Sequence, residues 1–139
     1  MKHFVTSMIA TSVFAMMLLI SAPSFADEHV APQVITFMVF ANGVEGREEE
    51  FNIWYETVHL AEVLTLPGFV SAQRFQLLSD PAGGTKYLAV YEIAGDPQAA
   101  LAALGEAVAS ILNMSESMDA TSVVTKLYMP RTEKMVATD

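Results

Sequence analysis

Tyr55, His59 and Glu62 stand at i, i+4 and i+7 in the stretch FNIWYETVHLAEVL. On a helix, residues three and four apart are neighbours, so these side chains can meet. The chemistry open to them is proton transfer. Histidine titrates near neutral pH and moves a proton. A carboxylate beside it fixes its tautomer and raises its basicity, and a tyrosine hydroxyl holds or protonates an oxygen. At about 100° per residue, Phe51, Trp54, Tyr55, Val58 and Glu62 gather on one side and His59 falls at its border. An acid on that side is costly unless paired or hydrated. Its nearest candidate partners are His59 and Tyr55. Two readings follow. In one, Trp54 and Phe51 are core and His59 is a border residue hydrogen-bonded to Glu62. In the other, Tyr55, His59 and Glu62 line a cavity between helix and sheet. Ile53, Leu60 and Leu64 form a second apolar stripe opposite the first.

Further candidates sit on neighbouring segments. Tyr87 and Tyr91 share one face of a strand, where they wall a ligand pocket or pack across strands. Arg74 binds a substrate carboxylate or pairs with Glu92 across a hairpin. Trp54, Arg74, Tyr87 and Tyr91 are therefore the candidate substrate-binding residues, beside the candidate catalytic set His59, Tyr55 and Glu62. There is no cysteine, hence no thiolate nucleophile, disulfide or Cys-ligated metal. Of three histidines, His3 and His29 join no motif, so no metal site is expected. Gly83-Gly84 is followed by no helix and is not a phosphate loop. No G-x-S-x-G is present.

The elements that must position these groups are legible from patterning. Met1 to Ala26 reads as a secretory signal peptide, with Lys2, an apolar run over Val5–Ile20 and a small-x-small end at Ser24 and Ala26. The expected location is periplasmic or secreted, with no stable membrane association after cleavage. Residues 27–32 are a polar lead-in, 33–131 one domain, and 132–139 a flexible tail. Removing 1–26 leaves 113 residues and takes the formal charge from −9 to −10. Such an acidic chain repels polyphosphates, so nucleic acid is not an expected partner.

Gln33–Ala41, bounded by Pro32 and Asn42-Gly43, reads as a strand buried on both faces. Acids in GVEGREEE open a helix that runs to about Thr65, before Pro67-Gly68. GFVSAQRFQLL and KYLAVYEIA form a hairpin around SDPAGGTK. Asp96-Pro97 starts a second helix with a core face of Leu101, Leu104, Val108, Ile111 and Leu112. NMSESMD is a polar loop, and TSVVTKLYMPR is the last strand. The order β-α-β-β-α-β is an α+β, ferredoxin-like arrangement with a four-stranded antiparallel sheet. Strands one, three and four are apolar on both sides, which a lone two-layer domain would expose. A homodimer through the sheet faces is the simplest cover.

The stretch FNIWYETVHLAEVLTLPGFVSAQRF resembles the signature of the dimeric α+β barrel superfamily, in particular its EthD-like members. It matches at Trp54, Tyr55, His59, Leu60, Glu62, Leu64, Pro67, Gly68, Phe69, Arg74 and Phe75. It departs at Ala61, where the family often has proline, which should make the helix more regular. The resemblance implies a dimer whose sheets form a barrel, with a pocket between each sheet and its helices. It also implies a helix-borne acid/base, here His59 helped by Tyr55. Relatives include isomerases, cyclases, decarboxylases, cofactor-free monooxygenases and haem enzymes. The expectation is an exported, cofactor-independent enzyme on a small, partly apolar substrate, of isomerase, cyclase, lyase or decarboxylase type. The alternatives are a non-catalytic small-ligand binder or structural dimer, and a haem-binding protein.

Overall fold

A computed structural model describes residues 33–79 and 83–138. The expected signal peptide, the lead-in at 27–32 and the middle of the hairpin loop lie outside the described residues. The strands are β1 (Val34–Gly43), β2 (Phe69–Gln76), β3 (Tyr87–Ala94) and β4 (Met118–Tyr128). They form one antiparallel sheet in the order β2-β3-β1-β4. With a helical crossover after β1 and another after β3, this is the ferredoxin-like α+β fold. Strand β4 begins at Met118, ahead of Thr121, because the backbone of Asn42 and Gly43 extends the ladder beyond a register shift. The Ser122 hydroxyl accepts the Asn42 N–H at 2.8 Å at that shift.

The first crossover is one continuous helix in three parts: α1 (Glu48–Trp54), a π turn (Tyr55–His59) and α2 (Leu60–Val63). The expectation of a regular helix is corrected here. In the π turn the Leu60 N–H reaches the Tyr55 carbonyl, five residues back. The Thr57 hydroxyl donates to the Ile53 carbonyl at 2.6 Å. Back-bonding of this kind competes with the helical ladder and bends helices. A π turn holds one extra residue, so every later side chain lags by about 100° from the regular wheel. That rotation carries His59 and Val63 inward, to 7 % and 1 % exposure, and takes Glu62 toward the flank. The helix ends at Val63, and Gly68 leads into β2 with a φ of 90° that suits only glycine without strain; a Cβ there would meet Ala100 at 3.0 Å.

The second crossover helix is α3 (Pro97–Ser110), capped by the Asp96 carboxylate, which accepts from the Gln98 N–H at 2.9 Å. Its deepest residues are Ala100 and Ala107. Leu101, Leu104 and Leu112 are only half-buried, and Val108 and Ile111 are exposed. The expected core face is thus displaced toward the alanines, which let the helix approach Gly68 at its start. The core holds Phe37, Phe51, Tyr55, Phe69, Tyr91 and Ile93 between sheet and helices. The other sheet face carries Met38, Phe40, Leu88, Val90, Phe75 and Val124, cross-strand neighbours by register. Phe75 and Val124 are exposed, and Met38, Phe40, Leu88 and Val90 only half-buried. Strand β1 is therefore not fully buried on its second face within one chain.

Candidate functional site

Tyr55 and His59, from the π turn, meet Tyr91 from the centre of β3 around a cavity of about 180 Å³. The cavity lies between the helices and the β1–β4 side of the sheet. Its remaining wall is almost wholly apolar, with Phe37, Val63, Leu104, Met118 and Val123 among the lining residues. The Tyr91 hydroxyl donates to the Tyr55 hydroxyl at 3.4 Å, a long bond. His59 Nδ1 is buried and has no hydrogen-bond partner. The imidazole stacks on Trp54 with centroids 4.7 Å apart and meets the Tyr55 ring edge-on at 4.9 Å.

These surroundings set the protonation states. Burial pushes the His59 pKa down to about 4; the Glu62 charge offsets part of this and Arg74 adds to it. The imidazole is therefore neutral at neutral pH. Burial raises the Tyr55 pKa, against smaller downward effects of the Tyr91 hydrogen bond and Arg74. Burial raises that of Tyr91 as well, with the neighbouring Tyr55 adding to it. The cavity thus presents one neutral imidazole and two neutral phenols.

The hydrogen-bonded Glu62–His59 pair expected from the wheel does not form. The Glu62 carboxylate instead accepts from the Asn113 backbone N–H at 3.0 Å and from the Asn113 side-chain amide. The cause is the π turn, which rotates Glu62 toward the loop after α3 while it turns His59 inward. Trp54 also reaches that loop, donating from Nε1 to the Asn113 carbonyl at 2.6 Å. Trp54 backs the imidazole and does not line the cavity. Asn113 was not singled out from sequence; a polar residue in a loop gives no sign of which distant side chains it will anchor.

Arg74 and Tyr87 lie elsewhere, in a second cleft with Asn52, Glu56, Phe75 and Gln76. The expected Arg74–Glu92 pair is absent. The two residues occupy opposite sheet faces: Glu92 accepts from the Ser71 hydroxyl at 2.6 Å, and Arg74 Nη2 donates to Asn52 Oδ1 at 2.9 Å. The Arg74 guanidinium lies 4.1 Å from the Tyr55 ring centroid and 5.2 and 5.3 Å from those of Phe51 and Tyr87. Its Nε and Nη1 are buried without a partner. Burial lowers its pKa, yet a guanidinium stays protonated. Tyr87 donates its hydroxyl to Glu48. Tyr87 and Tyr91 share a strand face, but the tyrosine of the helix separates their surroundings. Among the described residues, no cluster of three or more His or acidic residues is placed to hold a metal ion.

No family model matches the chain, and no curated protein matches it. Solved structures do. A candidate monooxygenase from Shewanella loihica PV-4 aligns with a TM-score of 0.52 at 15% identity, covering 77% of this chain and 98% of that one. The haem-degrader MhuD from Mycobacterium tuberculosis, solved with two haems in its active site, aligns with a TM-score of 0.51 at 15% identity, covering 73% and 99%. At this identity the likeness is one of fold, and the fold is the ferredoxin-like α+β arrangement described above.

Proposed function

We propose that this chain is an exported, cofactor-independent enzyme that moves a proton on a small, largely apolar substrate, with His59 as the base. One observation carries the reading. A neutral imidazole with a buried, unpartnered Nδ1 lines an apolar cavity together with two tyrosines. Convergent polar groups with shifted pKa values in an apolar pocket are the usual composition of a reaction site. His59 takes a proton from an acidic C–H or O–H of the substrate. Negative charge then develops on a substrate oxygen. Tyr55 donates its hydroxyl hydrogen to that oxygen, and Tyr91 donates in turn to Tyr55, so the two phenols polarise one another. The growing oxyanion stabilises the imidazolium that forms beside it. Isomerisation, cyclisation, elimination and decarboxylation all begin or end with such a transfer. Glu62 has no orienting role in this scheme; Trp54 holds the ring by stacking. Export rests on the signal-peptide pattern of residues 1–26, and the apolar outer sheet face supports pairing with a second copy.

The test is a substrate screen in D2O with His59→Gln as the control. Wild type should exchange or turn over a small carbonyl or phenolic compound, and the variant should lose at least about 100-fold in rate while staying folded. Undiminished turnover by His59→Gln would end the reading.

The low His59 pKa also favours a second reading, a ligand-binding dimer without chemistry, since so weakly basic a group accepts protons poorly in the unliganded protein. A haem, suggested by the likeness to MhuD, does not fit this arrangement. His59 Nδ1 is a suitable donor, but about 180 Å³ is below even the roughly 300–1,000 Å³ usual for ligand pockets, and among the described residues no cation lines the cavity to meet the propionates. A Soret band after addition of haem, lost in His59→Gln, would overturn that judgement.

A further inference from the structure

We infer that the cavity takes a neutral compound of one six-membered ring carrying a single oxygen, of the phenol or cyclic-enone class, with that oxygen set among His59, Tyr55 and Tyr91. The inference rests on the proposed site and adds to it a size, a charge and an orientation.

The size follows from the volume. An apolar protein cavity of about 150 Å³ stays dry and takes up benzene. The present cavity, at about 180 Å³, has room for the ring and one small substituent. A fused second ring does not fit unless the wall moves. The charge follows from the lining. Among the described residues no lysine or arginine lines the cavity, and Arg74 lines the other cleft behind Tyr55. A carboxylate brought into this space would lose its hydration without gaining a cation, a large cost by general transfer arguments. A neutral hydroxyl or carbonyl loses far less and finds partners.

The orientation follows from where the polar groups are. Tyr55, His59 and Tyr91 come from the π turn and the centre of β3, whereas Val63, Leu104 and Met118 offer only apolar surface to the ring. Thr125, on the edge strand, is the remaining polar lining residue. Tyr55 already accepts from Tyr91, so its own hydrogen is available to a ligand oxygen. His59 Nδ1, with no partner, accepts a ligand hydroxyl hydrogen or, in the other tautomer, donates to a carbonyl. A phenol uses both groups at once. Entry is over Val108 and Met114, which line the cavity and are 41 % and 37 % exposed. An unbranched methionine at such a place swings aside at small cost.

The experiment is NMR and calorimetric titration of the mature protein with p-cresol, toluene, 4-hydroxybenzoate and 1-naphthol. The cavity-filling variant Val123→Phe is titrated in parallel after its fold is verified by its NMR spectrum. p-Cresol should shift the His59 and Met118 resonances. Toluene should bind about 10-fold more weakly, for want of the oxygen's hydrogen bonds. 4-Hydroxybenzoate and 1-naphthol should not bind measurably, and Val123→Phe should weaken p-cresol at least about 10-fold. No p-cresol binding, or binding of the charged or fused-ring compound as tight as that of p-cresol, overturns the inference. So does unchanged p-cresol affinity in the folded filled variant, with Leu104→Phe as the second filled variant should Val123→Phe not fold. Failure here is distinct from failure of proton transfer. p-Cresol binding with His59-independent turnover would spare the ligand class and sink the mechanism. His59-dependent exchange on some other compound, without p-cresol binding, would do the reverse.

Discussion

Tyr55 has two differently finished sides. Toward β2 it is packed: Phe51 meets it edge-on at 5.6 Å, and Arg74 lies over its ring. Toward β4 it faces a cavity with His59 and Tyr91. Buried polar atoms without partners occur on both sides, Arg74 Nε and Nη1 on one and His59 Nδ1 on the other. On the packed side the cation is compensated by aromatic faces. On the open side the Glu62 charge offsets only part of the cost of burial, and the imidazole is neutral. Both flanks hold unsatisfied polar atoms, but only on the β4 flank do they adjoin an apolar cavity that Tyr55 itself lines.

The largest test of this contrast is a pair of truncations. Phe51 is fully buried, so Phe51→Ala should cost about 3–5 kcal/mol. Leu104 is half-buried beside existing void, so Leu104→Ala should cost about 2 kcal/mol or less. Urea unfolding of both variants measures the difference, and equal costs would mean that the open side is as well packed as the other.

Next in size is the pH dependence of the open side. The folded His59 pKa of about 4 lies below the ordinary 6.5. As pH falls, the unfolded chain takes up this proton first. The contribution of neutral His59 is therefore complete above about pH 6.5 and is lost as pH falls toward 4, by about 3 kcal/mol in all. Subtracting the profile of His59→Leu from that of wild type isolates this group from the carboxylates, which also destabilise in acid. A flat difference between pH 4 and 6.5 would place His59 in water.

On the packed side, Arg74→Met keeps most of the stem and removes the charge. It should cost about 1–2 kcal/mol through the lost stacking and the Asn52 hydrogen bond. Because the Arg74 charge holds His59 down, the variant should also raise the His59 pKa, read by NMR. An unmoved imidazole would mean that the two sides of Tyr55 are electrostatically separate.

How much of this was legible in the chain depends on whether a feature obeys a fixed period. The strands and helices were readable because Pro32, Asn42-Gly43, Pro67-Gly68 and Asp96-Pro97 punctuate them, and their order specifies the ferredoxin-like fold. Tyr55 and His59 could be paired from spacing alone. What a wheel of constant pitch cannot contain is the π turn. One extra residue between Tyr55 and Leu60 changes His59 from border to interior and sends Glu62 to Asn113. The second apolar stripe of Ile53, Leu60 and Leu64 is resolved in part by the same rotation: Leu60 becomes half-buried, whereas Ile53 and Leu64 remain exposed. The departure at Ala61 pointed to a more regular helix, but the helix carries a π turn at Tyr55–His59, where the Thr57 hydroxyl back-bonds to Ile53. The cavity was beyond reach for another reason. It is lined from β1, the helix of the first crossover, β3, α3, the loop after α3 and β4, and a void is a property of volumes summed over several elements, not of one pattern.

The smallest expected effect tests the remaining thread between the two flanks. Glu62 no longer bonds to His59, yet its charge still favours the imidazolium. Glu62→Gln should therefore lower the His59 pKa further, the reverse of what losing a neighbouring cation would do. It should cost only about 0.5–1 kcal/mol, because one side-chain oxygen remains to accept from Asn113. Turnover, if His59 is the base, should change little, since orientation comes from the Trp54 stack and the π turn rather than from the carboxylate. A Glu62→Gln variant as inactive as His59→Gln would instead make the carboxylate a partner of the imidazole in the reacting state, reached by a rotation of the helix that straightens the π turn. The His59 titration in this single variant separates those two mechanisms, because the through-space charge moves the pKa modestly and a formed hydrogen bond moves it far.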